Sequence, residues 1–136
     1  MQAKVKWAGD MQFIGESGSG HTIVMDGNGA KTAASPMEMV LLAAGGCSSI
    51  DVVSILNKAR QPICDCQVEL TTERAETAPR VFTKINLHFT VTGSSELSEK
   101  QVARAVDLSM EKYCSVSLML SKHCPIEHSY EVVINQ

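Results

Sequence analysis

The sequence predicts an α+β domain over residues 1–136, with antiparallel sheets around a buried central helix in the order βββ-α-ββ-αα-β. Three observations carry this. Residues from Pro36 to Leu56 are apolar on nearly every side of a helix and begin with helix-start signals. Two later stretches, 64–70 and 81–92, alternate apolar and polar residues with the period of a strand. The first quarter consists of short alternating runs cut by glycine pairs.

Taken in order, Ala3, Val5 and Trp7 alternate with Lys4 and Lys6, which predicts a half-exposed strand. Gly9-Asp10 turns the chain so that 11–15 can pair with it, and 21–25 forms a third short strand after Ser17-Gly18-Ser19-Gly20. Ser35 supplies an N-cap oxygen, Pro36 suits the first helical position, and Glu38 completes a capping box. Gly45-Gly46 falls mid-helix, where each glycine costs about 1 kcal/mol relative to alanine, so a kink or a close approach by another element is expected. Pro62 ends the helix. Cys64, Cys66, Val68 and Leu70 then share one strand face. After a loop at 75–79, Val81, Ile85, Leu87, Phe89 and Val91 share another, giving a long hairpin. Ser98 and Gln101 predict a second capping box, Ser115 a cap for a short helix over 116–122, and Pro125 the opening of a final strand.

Composition narrows the function. Apolar residues make up 44% and charged residues 20%, a globular balance, and the net charge of −3 disfavours nucleic acid and anionic membrane as partners. Met1 leads straight into the first alternating stretch, and the longest apolar run, Met39 to Cys47, is nine residues. A cytoplasmic protein without a membrane span is expected. A helix this apolar is hard for a chain of 136 residues to wrap alone, which makes burial by a second copy a natural solution.

Five cysteines, at 47, 64, 66, 114 and 124, argue against a secreted disulfide framework. Cys64 and Cys66 have the spacing of half a thiolate metal site, but no second pair accompanies them, so they read as small core residues; Cys124, beside His123 at an element end, reads as a helix-terminal thiol with no role rather than as half of a metal pair. His21, His88 and His128 sit on separate strands without ligand spacing, and no metal is expected. Cys47 lies among small residues in the central helix, where the pattern alone fits a buried cysteine. Asp51, one turn on, disfavours its thiolate, so a reactive Cys47 needs a cation or dipole from elsewhere in the fold. Cys114, at a predicted helix start, is the easier thiol to ionise on local grounds.

The segments Ser35-Pro36-Met37-Glu38-Met39, Ala44-Gly45-Gly46-Cys47-Ser48 and Glu111-Lys112-Tyr113-Cys114-Ser115-Val116-Ser117 together resemble the osmotically inducible protein C and organic hydroperoxide resistance (OsmC/Ohr) superfamily, and its YhfA-like branch most of all. The resemblance runs over nearly the whole chain. It implies an intertwined homodimer with two sites at the interface, and a thiol-dependent peroxidase that reduces organic hydroperoxides without metal, haem or flavin. It makes Cys47 the attacking and Cys114 the resolving cysteine, with an external dithiol as reductant. Glu38 matches the family glutamate that holds an activating arginine. The active peroxidases carry that arginine on the N-terminal strands, whereas here the first arginine is Arg60, and Lys4 and Lys6 are no equivalent fork. Glu38 is also about half a turn out of phase with Cys47 on an ideal helix. Two further functions therefore compete with the enzyme: a pocket for a small hydrophobic ligand, and a redox sensor.

Overall fold

The computed structural model describes residues 1–135. They form two compact units that divide between Leu42 and Ala43, and one helix runs through the boundary. The expected element order is observed.

In the first unit, β1 (Ala3–Trp7), β2 (Gln12–Ser17) and β3 (Thr22–Asp26) form an antiparallel meander. Gly9 and Asp10 both take positive φ, 101° and 48°, to make the first turn, and glycine meets that demand at no steric cost. The register places Ala3, Val5, Trp7, Phe13, Ile23 and Met25 on one face. That face is apolar, yet Val5 and Trp7 are 61% and 64% exposed and Ile23 is 50% exposed. The half-exposed pattern expected for β1 is not realised, since all five of its residues are exposed. The loop after β3 is tied down by the buried Asp26, whose carboxylate accepts from the Asn28 and Thr32 amides and from Thr32 Oγ1 at 2.6 Å. At Ser35 the predicted capping box closes in both directions. Glu38 N–H donates to Ser35 Oγ at 3.2 Å, and Ser35 N–H donates to Glu38 Oε1 at 2.9 Å.

The helix α1 (Pro36–Lys58) is continuous through Gly45-Gly46, so the close approach occurs and the kink does not. A Cβ on Gly45 would lie 2.8 Å from Leu70 Cδ1 and 3.3 Å from Val68 Cγ1, which shows the helix backbone pressed onto β4 (Ile63–Arg74). Only one stripe of α1 is buried: Ala44, Gly45, Ser48, Val52 and Leu56. Leu42 and Ile50 are 62% and 71% exposed, so one chain alone does not wrap the helix on every side. By length and composition α1 could also cross a membrane, which the nine-residue run did not suggest; its seat on β4 is that of a core helix.

In the second unit β4 pairs antiparallel with β5 (Phe82–Gly93), but β6 (Ile126–Ile134) runs parallel to β5. The wholly antiparallel expectation is corrected for this strand. The helices α2 (Glu99–Leu108) and α3 (Ser115–Leu120) carry the chain back so that β6 re-enters in the direction of β5, the connection a parallel pair requires. Ile85, Leu87, Phe89 and Val91 of β5 are fully buried, together with Val52, Leu56, Val102 and Val106. Cys64 leaves the face it was expected to share with Cys66, because the ladder slips at Ile63/Asp65; Cys64 is exposed and Cys66 half-buried. The second capping box is half realised. Gln101 N–H donates to Ser98 Oγ, while Ser98 N–H donates to Gln61 Oε1 instead.

Candidate functional site

Between α2 and α3 the chain makes a single π-helical turn, Ser109–Tyr113. It ends with Cys114 N–H donating to Ser109 O at 2.7 Å and puts Cys114 in an extended conformation. Cys114, not Ser115, is therefore the N-cap of α3, with its sulfur accepting from Ser117 N–H at 3.4 Å. Opposite it, α1 presents Cys47 and Asp51, four residues apart and so on one helix face. The Cys47 sulfur, the Cys114 sulfur and an Asp51 carboxylate oxygen all lie within 4.8 Å of one another. The fold thus brings together two of the three residues that the sequence singled out. The third, Glu38, spends its carboxylate on the cap of Ser35.

Serines surround this cluster. Ser115 Oγ is 3.7 Å from Cys47 Sγ. Ser109 Oγ donates to Asp51 Oδ2 at 2.9 Å and lies 3.3 Å from the Ser48 carbonyl. Ser117 Oγ is 3.2 Å from Cys114 Sγ. In Tyr113-Cys114-Ser115-Val116-Ser117 the sequence marks Ser115 only as a helix cap; the hydroxyls every second residue were the available signal for the partners of Cys114.

The two thiols have opposite electrostatics. Partial burial pushes Cys47 up. The Val116 amide, the Cys114 thiol, and the hydroxyl and amide of Ser115 outweigh it, leaving Cys47 below the ordinary thiol value. Cys114 is pushed above it, first by burial and then by Cys47, against the pull of the Ser117 hydroxyl and amide. This reverses the local expectation that Cys114 is the easier thiolate. The start of α3 does favour a thiolate, but part of that favour falls on the sulfur across from it. The external dipole that Cys47 required is this pair of amides.

Asp51 also lines a hollow of about 610 Å³ with Ser54, Ile55, Lys58, Arg104, Leu108 and Tyr113. The fold carries Arg104 of α2 to the same hollow as Asp51. A lining of aliphatic side chains mixed with two cations and one carboxylate suits an amphipathic molecule.

The two-unit α+β architecture, the long core helix and the facing cysteines define a class. The model of the OsmC-like protein family matches residues 27–129, and the chain belongs to that family. Among its relatives is protein YhfA of Escherichia coli strain K12, 67% identical over 133 residues that span 98% of each chain. A hypothetical protein from Aquifex aeolicus has a solved structure with a TM-score of 0.88 at 30% identity, covering 99% of this chain and 97% of that one. The fold is shared with an organic hydroperoxide resistance protein OsmC from Legionella pneumophila, at a TM-score of 0.67 and 16% identity over 98% and 96% of the two chains.

Proposed function

We propose that the chain is a thiol-dependent reductase of organic hydroperoxides, with Cys47 attacking and Cys114 resolving. The observation that carries this reading is the juxtaposition of a thiol made acidic by two amides with a buried thiol kept protonated in the same cluster. The Cys47 thiolate attacks the distal oxygen of the hydroperoxide, the O–O bond breaks, and the alkoxide leaves and takes a proton as alcohol. Cys47 becomes a sulfenic acid. The Cys114 sulfur displaces its hydroxyl as water and forms the disulfide, which an external dithiol reduces. The hydroperoxide chemistry named for the Legionella protein supports this substrate class. The five free cysteines suit the cytoplasm as the setting, and a homodimer is the proposed assembly.

Turnover of cumene hydroperoxide with a dithiol reductant tests the reading. The native chain should consume peroxide, Cys47→Ser should not, and Cys114→Ser given peroxide before any dithiol is added should hold one sulfenic acid per chain. Native turnover no faster than that of the double variant would sink it. The second reading, a ligand-binding or redox-sensing protein, is favoured by the Asp51 carboxylate, which opposes a second negative charge beside it, and by the hollow that Asp51 lines. It would then stand.

A further inference from the structure

The proposed peroxide chemistry leaves Asp51 without a task. Its carboxylate oxygen sits in the same 4.8 Å cluster as two sulfurs, one of which must carry negative charge to react. For an attacking thiolate this is a burden. For a cation it is a third ligand. We propose that the reduced chain binds one thiophilic dication, Zn²⁺ or Cd²⁺, between Cys47 Sγ, Cys114 Sγ and the Asp51 carboxylate.

Four observations support the site. Cys47 and Asp51 stand one above the other on α1, and Cys114 faces them from a different element, so the three donors converge from two sides. A tetrahedral zinc ion has Zn–S near 2.3 Å and Zn–O near 2.1 Å, which sets ligand atoms about 3.5–3.8 Å apart, so side-chain rotation suffices to close the cluster. The carboxylate is already oriented by Ser109 Oγ and the Cys114 sulfur by Ser117, the kind of outer support that holds metal ligands in place. Cys47 and Asp51 are half-buried while Cys114 is fully buried, which leaves an entry path and a fourth position for water. Binding displaces the protons of both thiols, and the ion with three anionic ligands carries one net negative charge. Soft sulfur donors select zinc and cadmium over magnesium or calcium. The bound ion and the Cys47–Cys114 disulfide exclude each other, since both use the same sulfur electrons.

The proposal does not depend on peroxide turnover. Reduced full-length protein is titrated with Zn²⁺ against a chromophoric chelator, and in parallel with Co²⁺, whose thiolate charge-transfer and tetrahedral d–d bands report the ligands. One equivalent should bind, and the cobalt spectrum should show two sulfur ligands. Cys47→Ser and Cys114→Ser should each weaken binding by about 100-fold or more, and Asp51→Asn by about 10- to 100-fold, on the scale by which metal-site shells matter. Cys64→Ala/Cys66→Ala should bind as the native chain does. Thermal unfolding of each apo variant separates lost ligation from lost folding, and Asp51→Glu, which keeps the carboxylate, should retain part of the affinity. Binding that follows Cys64 and Cys66, binding indifferent to Asp51→Asn, or no binding below about 10 μM would each overturn the proposal.

Discussion

At the scale of single residues, the acidity of Cys47 is set by groups that the sequence holds 67 to 69 positions away. Asp51 is four residues from Cys47 and was visible at once; the Ser115 and Val116 amides are brought in only by the fold. Local reading therefore ranked the two thiols in the opposite order, and their pairing was legible only through the family resemblance. The alkylation rate of each cysteine against pH, read by mass spectrometry, measures the outcome. The rate follows the thiolate fraction, so Cys47 should rise through a midpoint below the ordinary 9.0 and Cys114 through one above it. Ser115→Ala should move the Cys47 midpoint upward, since one donor to its thiolate is lost. If Cys114 alkylates first, their roles are exchanged. Asp26 offers a second titration. The Thr32 hydroxyl, then the Asn28 and Thr32 amides, hold its carboxyl below the ordinary value. A carboxyl depressed by folding contributes stability above its unfolded pKa and loses it as pH falls through the folded one. Acidification below about pH 4 should loosen the 27–34 loop, and hydrogen exchange at Thr32 should report it. Asp26→Asn should loosen that loop at neutral pH.

At the scale of elements, strands and helices were legible because their periods are local. Their ends and partners were less so. The parallel entry of β6 has no periodic signature, since a parallel and an antiparallel strand alternate alike. The slip at Cys64 and the π-helical turn at Ser109–Tyr113 each displace the chain by a fraction of a period, and only tertiary packing selects them. Glycine is where sequence and packing meet. At Gly93 a Cβ would overlap the Pro62 carbonyl oxygen and come within 2.9 Å of Leu97 Cδ2. Backbone cannot yield as a side chain does, so Gly93→Ala should cost about 3 kcal/mol in denaturant unfolding. Gly45 meets only the flexible ends of Leu70 and Val68. Alanine there gains helix propensity and strains a contact, whereas the branched Gly45→Val should cost about 1–3 kcal/mol. If both variants unfold with the native midpoint, the close approaches of Pro62 to Gly93 and of β4 to α1 are wrong.

At the scale of the whole molecule, the unresolved demand is for cover. Two separate surfaces ask for it. The sheet of the first unit shows Val5, Trp7 and Ile23 on one face, and α1 shows Leu42 and Ile50 on the side away from its buried stripe. Scattered apolar residues on a surface need no explanation, but a face of aligned strands and a helix this long and apolar exceed that background. Burying one exposed leucine or isoleucine is worth roughly 1.5–3 kcal/mol, so several together can hold two chains. A bilayer could cover α1 as well, given its length and composition, but would have to draw it off β4, where Gly45 is seated. A second copy laid on α1 would leave that seat in place, and the cluster of Cys47, Ser115 and Cys114 is already assembled in one chain, so dimerisation would not be needed to complete its thiol pair. Sedimentation equilibrium at micromolar concentration should give twice the chain mass. Ile50→Lys, which puts a charge on the uncovered side of α1, should shift the protein toward monomer and lower its unfolding midpoint. The acidity of Cys47 should persist, because its donors are intramolecular. A native monomer at these concentrations, or a native protein that partitions onto neutral lipid vesicles, would overturn the dimer.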